Sequence, residues 1–438
     1  MRTMQLGLVG FGTVGAGAAR LLIDNAAIIQ SRTGAKLRLK SIADIDIETD
    51  RGIALPDGVL TTDVEAVIDD PNIDIVIEMI GGETIAKEIM LRAIANGKHI
   101  VTANKALLAK HGNQLFRAAA DHGVEIAFEA SVGGCMPVIK TIRESMVANH
   151  IQSMVGILNG TCNYILSNIT DAGSAFQAAL AEAQASGCAE ADPTLDIEGY
   201  DTAHKLAIIT ALAYGMEINF DDIYIEGITA ITPMDIEYAR QFGYKIKLLA
   251  IGKRSANAVE ARVHPTMIPA DNILSSVNGT LNALTITGDA TGDTLLYGHG
   301  AGMMPTASAV LSDIVDIARN LLTGAGGRVP MLSYPFEHIQ PRPIKPIDDI
   351  TTHYYIRFSA LDRPGVLSII SGILGQFNIS IQSVHQKGRR SNGSVPIVML
   401  THQAREKHIK QAIEQIVQQD VITAAPMLIR IEDNQQPG

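Results

Sequence analysis

Gly10, Gly12 and Gly15 stand between the apolar run LGLV and an alanine-rich stretch, so the chain opens as strand, glycine turn and helix. That order restricts the fold sharply. In G-x-G-x-x-G the first glycine permits a tight turn, the second lets the backbone approach a pyrophosphate, and the third lets helix and strand pack closely, with the anion at the helix N-terminus. A glycine-rich loop alone also serves plain turns. The strand before this one and the helix after it point instead to dinucleotide binding by Gly10, Phe11, Gly12, Thr13, Val14 and Gly15.

The apolar runs MQLGLVG, LRLKSIAD, IDIVIEMI, KHIVT and VEIAFEA alternate with helical patterns, the rhythm of a doubly wound parallel sheet of Rossmann type. One such pattern, over 83–96, carries Ile85, Ile89, Met90 and Ala93 at helical spacing and stops at Gly97. Asp44 closes the second run, where a carboxylate accepts from a ribose 2′-hydroxyl and repels a 2′-phosphate, so NAD is favoured over NADP. The gap after Gly15 is longer than the usual ~20 residues. An extended first helix and the segment IIQSRTGAK would explain it; a register slip of two would put Asp46 in the ribose position, and Arg51 is near enough to meet a phosphate.

At 438 residues the chain exceeds what one core usually supports. Residues 1–130 form the expected dinucleotide-binding domain, completed by a helix at about 300–323, PTASAVLSDIVDIARNLLTG, that packs back on it. Residues 131–299 read as an α+β domain for substrate and dimerisation. GAGG and the prolines from Pro330 to Pro346 mark a linker over 324–350. Residues 351–432 then run β-α-β-β-α-β, the ferredoxin-like order.

Acidic residues outnumber basic ones by 46 to 35, a net charge of -11 that argues against nucleic acid and anionic membrane as partners. No apolar run approaches the length of a membrane span, and the N-terminal stretch MRTMQLGLVGFG lacks a secretion signal's layout. Cys135, Cys162 and Cys188 form an odd set without framework spacing, which suits a reducing compartment and a cytoplasmic location.

Three features carry possible chemistry. Asp201 and Lys205 lie four apart at the head of an apolar helix, so they share a face. Spacing alone fits a surface ion pair as well as a pocket rim. Glu190, Asp192, Asp196 and Glu198 gather around a proline just upstream, either as a solvated acidic turn or as a partner for a substrate ammonium. Lys105, in TANKALL, follows a strand at the carboxyl end of the sheet, where open α/β sheets bind ligands.

With these segments in view the whole chain resembles homoserine dehydrogenase carrying a C-terminal ACT domain. GLVGFGTVG, TANKALL, EASVGGCMP, GILNGTCNYIL, AEADPTLDIEGYDTAHKLAI and GAGMMPTASAVLSDI look like that family's segments, in its order. The resemblance implies NAD(P)-dependent interconversion of L-homoserine and L-aspartate 4-semialdehyde. It makes Lys205 the catalytic lysine and Lys105 a second active-site lysine, with Thr161, Glu190, Asp196 and Asp201 lining the amino-acid site. It also implies a second backbone contact to the cofactor at Gly300, and a sodium or potassium ion held by Glu129, Val132, Gly134 and Met136. In the ACT segment LDRPGVLSIISGILGQFNISI it assigns Gly365 and Asn378 to an effector site, with L-threonine the expected effector and a homodimer or homotetramer the expected assembly. Two rivals are another NAD-dependent amino-acid or aldehyde oxidoreductase and a non-catalytic amino-acid sensor. The acidic loop with Lys205 argues against the first, and retention of both lysines against the second.

Overall fold

The computed structural model describes residues 2–386 and 393–433. Its first sheet is wholly parallel, in the order Leu60–Thr61, Lys36–Ala43, Thr3–Val9, Ile75–Glu78, His99–Thr102, Ile126–Ala127. The strand order reverses between Thr3–Val9 and Ile75–Glu78, the kind of switch point at which open α/β sheets form ligand crevices. Both central strands Ile75–Glu78 and His99–Thr102 are buried on both faces, which is why their apolar residues run together without alternation.

Helices cover the two faces. Thr13–Asp24 presents Gly15, Ala16, Gly17, Ala18 and Ala19 to one of them. Small residues let the helix Met303–Thr323 come close: a side chain at Gly17 would collide with Met303 and Ala307. The chain therefore returns to this sheet, bringing Val310, Ile314 and Ile317 into its core. The opposite face takes Thr84–Ala95 and Lys105–Asp121. The long gap before Asp44 is filled by helix and by the segment IIQSRTGAK. The first helix stops at Asn25 and a second, Ala26–Thr33, follows before the strand Lys36–Ala43 begins.

The second sheet has eleven strands among the described residues. Its main path runs Gly292–His299, Leu281–Gly288, Ile151–Ile157, Tyr244–Arg254, Val259–Pro269, Ile422–Ile431, Thr351–Leu361, Ser394–Thr401, Ile381–Gln386. The last four belong to the β-α-β-β-α-β unit, with Val366–Gln376 and Glu406–Val417 as its helices. Part of the sequence reading needs correcting here. The segment 324–350 is no free tether: Leu332, Ile344 and Ile350 are buried, and Ile344 bridges to Val259. The C-terminal unit is joined to the middle domain by strand pairing, Thr266 with Arg430 and Met267 with Ile431 in parallel.

Buried charges reinforce that seam. Arg430, 2% exposed, donates to Glu406 within its own unit and to Tyr224 (3.1 Å) and Glu226 (2.7 Å) across the boundary. Glu432 pairs with Lys253 and Arg262. Arg357 donates to both oxygens of Asp235, at 2.6 and 3.0 Å, and Tyr355 to one of them. Asp235 in turn completes the capping box of the helix Pro233–Gln241.

Candidate active site

The three glycines occupy three different situations. Gly10 has φ +97°, which a side chain rarely adopts, and a Cβ there would strike the Met79 backbone. A Cβ on Gly15 would come 2.0 Å from the Gly10 carbonyl oxygen. Gly12 has nothing within 4 Å of its missing Cβ. A tight turn, a close helix contact and an open backbone surface are what a pyrophosphate cradle requires.

Asp44 follows directly on the strand Lys36–Ala43. Its carboxylate accepts from Phe11 N in the glycine loop and, at 2.8 Å, from Asp46 N. Arg51 lies over the Phe11 ring, donates to Phe11 O (2.6 Å) and Asp46 (3.1 Å), and comes within 3.9 Å of Asp44. Asp46 is thus the guanidinium's partner, and Asp44 the carboxylate tied to the loop.

A cleft of about 590 Å³ opens from this loop toward the middle domain. Its walls include Val14, Lys105, Thr161, Glu190, Asp196, Asp201, Lys205 and Gly300, so residues from five separate segments of the sequence meet in one space. A recess of about 340 Å³ beside it shares Lys105, Asp196 and Asp201 and adds Glu78, Gly82 and His204.

Asp201 is the electrostatic centre. The helix Tyr200–Tyr214 is buried almost throughout, and Asp201 and Lys205, each 7% exposed, sit one turn apart on it. Lys205 Nζ lies 2.6 Å from Asp201 Oδ2 and 2.6 Å from the Leu158 carbonyl oxygen. Lys105, at the start of the helix Lys105–Asp121, brings its Nζ within 3.1 Å of Asp201 Oδ1. Burial pushes the Asp201 carboxyl up, but the two lysines outweigh it and hold it well below the usual carboxylate range. Asp201 in turn raises Lys105.

Asp196 lies in a single helical turn, Thr194–Ile197, within the acidic stretch around Pro193. Burial, with Asp201 nearby, raises its carboxyl. Glu190 is exposed at the cleft rim. Thr161 Oγ1 donates to the Cys188 carbonyl (2.8 Å) and ties this loop to the helix Gly160–Ala172. His204, its ring tilted against that of Phe220, is pushed down to about 4 by burial.

Sequence reasoning missed Asn159. Its Nδ2 donates to Asp196 (2.6 Å) and Asp201 (2.8 Å), while its Oδ1 caps the helix Gly160–Ala172 at Cys162 N (2.7 Å). An asparagine just before a helical pattern is an N-cap signal, but nothing in sequence shows the amide bridging two carboxylates. Also missed was the Glu78 network. This buried carboxylate accepts from Thr102 Oγ1 (2.6 Å) and Ile80 N (3.0 Å), and Thr102 Oγ1 accepts from Asn104 N (3.0 Å), just ahead of Lys105.

Two sets of expected residues lie elsewhere. Glu129 and the turn with Val132, Gly134 and Met136 sit beside the cleft, where Cys135 N donates to His299 O (3.1 Å), next to Gly300. Both Glu129 oxygens accept backbone N–H bonds, from Ile139 (2.8 Å) and Lys140 (2.9 Å). Burial raises this carboxyl, and pushes neighbouring Asp313 up to about 7. Gly365 and Asn378 are in the C-terminal unit, beyond opposite ends of the helix Val366–Gln376, which is itself about 16 Å long.

Comparison with known proteins supplies the remaining finding. The family model described as homoserine dehydrogenase matches residues 137–315, the model of its NAD-binding domain matches 10–129, and the ACT domain model matches 354–419. A homoserine dehydrogenase of Neisseria gonorrhoeae is 46% identical over 432 residues, 99% of each chain. The crystal structure of a homoserine dehydrogenase from Thiobacillus denitrificans superposes with a TM-score of 0.94 at 46% identity, again over 99% of each chain. A hyperthermophilic archaeal homoserine dehydrogenase solved in complex with NADPH is 25% identical, with a TM-score of 0.62 over 72% of this chain and 97% of that one.

Proposed function

Since the chain belongs to the homoserine dehydrogenase family, an NAD(P)-dependent oxidoreductase family, we propose that it interconverts L-aspartate 4-semialdehyde and L-homoserine and works chiefly as the aldehyde's reductase, in threonine, methionine and isoleucine biosynthesis. The observation that carries the reading is Asp201 held between Lys105 and Lys205 in a cleft continuous with the glycine loop. The open face at Gly12 and the helix N-terminus behind it fit a dinucleotide. When bound, its nicotinamide supplies or accepts the hydride.

The protein's part is to bind, orient and move a proton. A lysine ammonium has three donors. Leu158 O and Asp201 take two at Lys205, leaving one for the substrate oxygen, so Lys205 hands a proton to that oxygen or receives it back. Lys105 steadies the same oxygen from the other side of Asp201. With Asp201 neutralised by two lysines, Asp196 and Glu190 supply the negative charge that a substrate ammonium needs, and Thr161 holds their loop in place.

The same reading gives Asp44 to the adenosine ribose of NAD and Arg51 to the 2′-phosphate when the cofactor is NADP, as befits a family that includes a relative solved with NADPH. The Glu129 carboxylate with the carbonyls of Val132, Gly134 and Met136 is an all-oxygen set suited to sodium or potassium. We assign 1–130 with 300–323, 131–299 and 351–432 to cofactor, substrate and regulatory roles, with 324–350 connecting the last two. L-Threonine acts through the ACT domain near Gly365 and Asn378 in a cytoplasmic homodimer or homotetramer, pairing of ACT domains being what would bring those two positions together.

The test is the initial rate of L-homoserine oxidation, followed by nicotinamide absorbance with NAD and NADP in parallel, with and without L-threonine. Turnover that L-threonine lowers is the expected result. Folded protein that turns over with neither cofactor would overturn the assignment.

A further inference from the structure

Asn282 is the second residue of the strand Leu281–Gly288 and heads a column in which Leu284 and Ile286 point the same way, fully buried. The position calls for an apolar side chain. Asn282 is 1% exposed, yet neither its amide nitrogen nor its amide oxygen has a hydrogen-bond partner. A buried donor and acceptor left unmet are costly, whereas leucine, branched at the same carbon, would carry no such cost. The residue is also among those that line the cleft holding Lys105 and Lys205. It rests against the Cα of Gly300, where an added Cβ would come 2.0 Å from Nδ2, so only glycine at 300 fits beside it.

We propose that Asn282 recognises the carboxamide of the nicotinamide ring, an inference that rests on the cofactor reading above. The complementarity is specific. A carboxamide offers one donor group and one acceptor side by side, the pair that Asn282 leaves unmet. An amino-acid substrate's carboxylate only accepts and its ammonium only donates, so neither meets both needs of the amide.

The experiment measures dissociation constants of reduced cofactor by its fluorescence, for the intact protein and for Asn282→Leu, alongside the thermal midpoint. The ligands are the natural dinucleotide and its 3-acetylpyridine analogue, in which a methyl group replaces the carboxamide NH2. We expect Asn282→Leu to melt at or above the parent temperature while binding the natural cofactor about tenfold more weakly. The parent should prefer the natural cofactor to the analogue, and the variant should bind both alike. If Asn282→Leu does not fold, the same measurements on Asn282→Ala decide.

A variant that keeps the parent's preference overturns the proposal. So does a rise in the KM for L-homoserine with unchanged cofactor binding, which would make Asn282 a substrate contact. A lowered melting temperature with unchanged binding would make it structural. Parent protein that binds no nicotinamide cofactor would instead sink the reading of the cleft itself.

Discussion

Replacing Asp201 by asparagine tests the charge balance on which the site depends. The carboxylate sits 2.6 Å from Lys205 Nζ and 3.1 Å from Lys105 Nζ. At an effective dielectric of 20 those separations correspond to about 6 and about 5 kcal/mol of attraction before any cost is counted. Desolvation cancels much of this. The Lys105 term needs a further discount, because that side chain is 41% exposed and screened. What remains resembles the breaking of a buried pair, about 3–5 kcal/mol, since Lys205 stays 7% exposed with only the Leu158 carbonyl to meet it. The new amide cannot repair the loss, because its NH2 must face either Lys105 or the Lys205 and Asn159 donors.

Chemical denaturation should show that loss for Asp201→Asn at pH 7, together with a collapse of homoserine oxidation. The pH dependence has a definite sign. The folded-state pKa of Asp201 lies below its unfolded value of about 3.9, so its contribution is complete above that value and fades as pH falls toward the folded one. The gap between parent and variant should therefore be flat from pH 8 to 5 and shrink on further acidification. A loss below about 1 kcal/mol at pH 7, or a gap that widens in acid, would refute the argument.

Lys205→Ala should lower kcat by about 10²–10⁴-fold, the usual worth of a positioned proton carrier, with cofactor binding retained by fluorescence titration. Arg51→Ala should cost NADP affinity about tenfold more than NAD affinity, read from paired titrations, because the charged bond to a 2′-phosphate is lost while Asp44 stays. Arg430→Met should destabilise by about 3–5 kcal/mol in a denaturant melt by leaving the fully buried Glu406 without its guanidinium, and adding Glu406→Met should restore much of that.

The parallel-sheet half was legible because its strands are buried on both faces, and an unbroken apolar run between turn residues has one reading in a βα alternation. The Asp201 and Lys205 pair was legible from helix periodicity, which places residues four apart together whatever the fold around them. Lys105 joining them was legible only through the family resemblance, since it comes from a strand end nearly a hundred residues upstream. Asn159 and Asn282 escaped for a related reason. An asparagine reads as a cap or a turn, and only packing shows that one bridges two carboxylates while the other lies buried and unpartnered. Prolines made 324–350 look like a tether, because they break periodicity whether a segment floats or, as here, is pinned by Leu332, Ile344 and Ile350.

The shared sheet makes the C-terminal unit a poor candidate for removal. Ending the chain before residue 351 would bare the backbone edge of Val259–Pro269 and leave Lys253, Arg262 and Asp235 facing water where carboxylate or guanidinium partners had been. A truncated protein intended to be free of regulation would then be sticky, and lost activity in it would report aggregation and not the absence of an effector. Silencing the unit by point substitution on its outer face, leaving the seam whole, is the cleaner dissection.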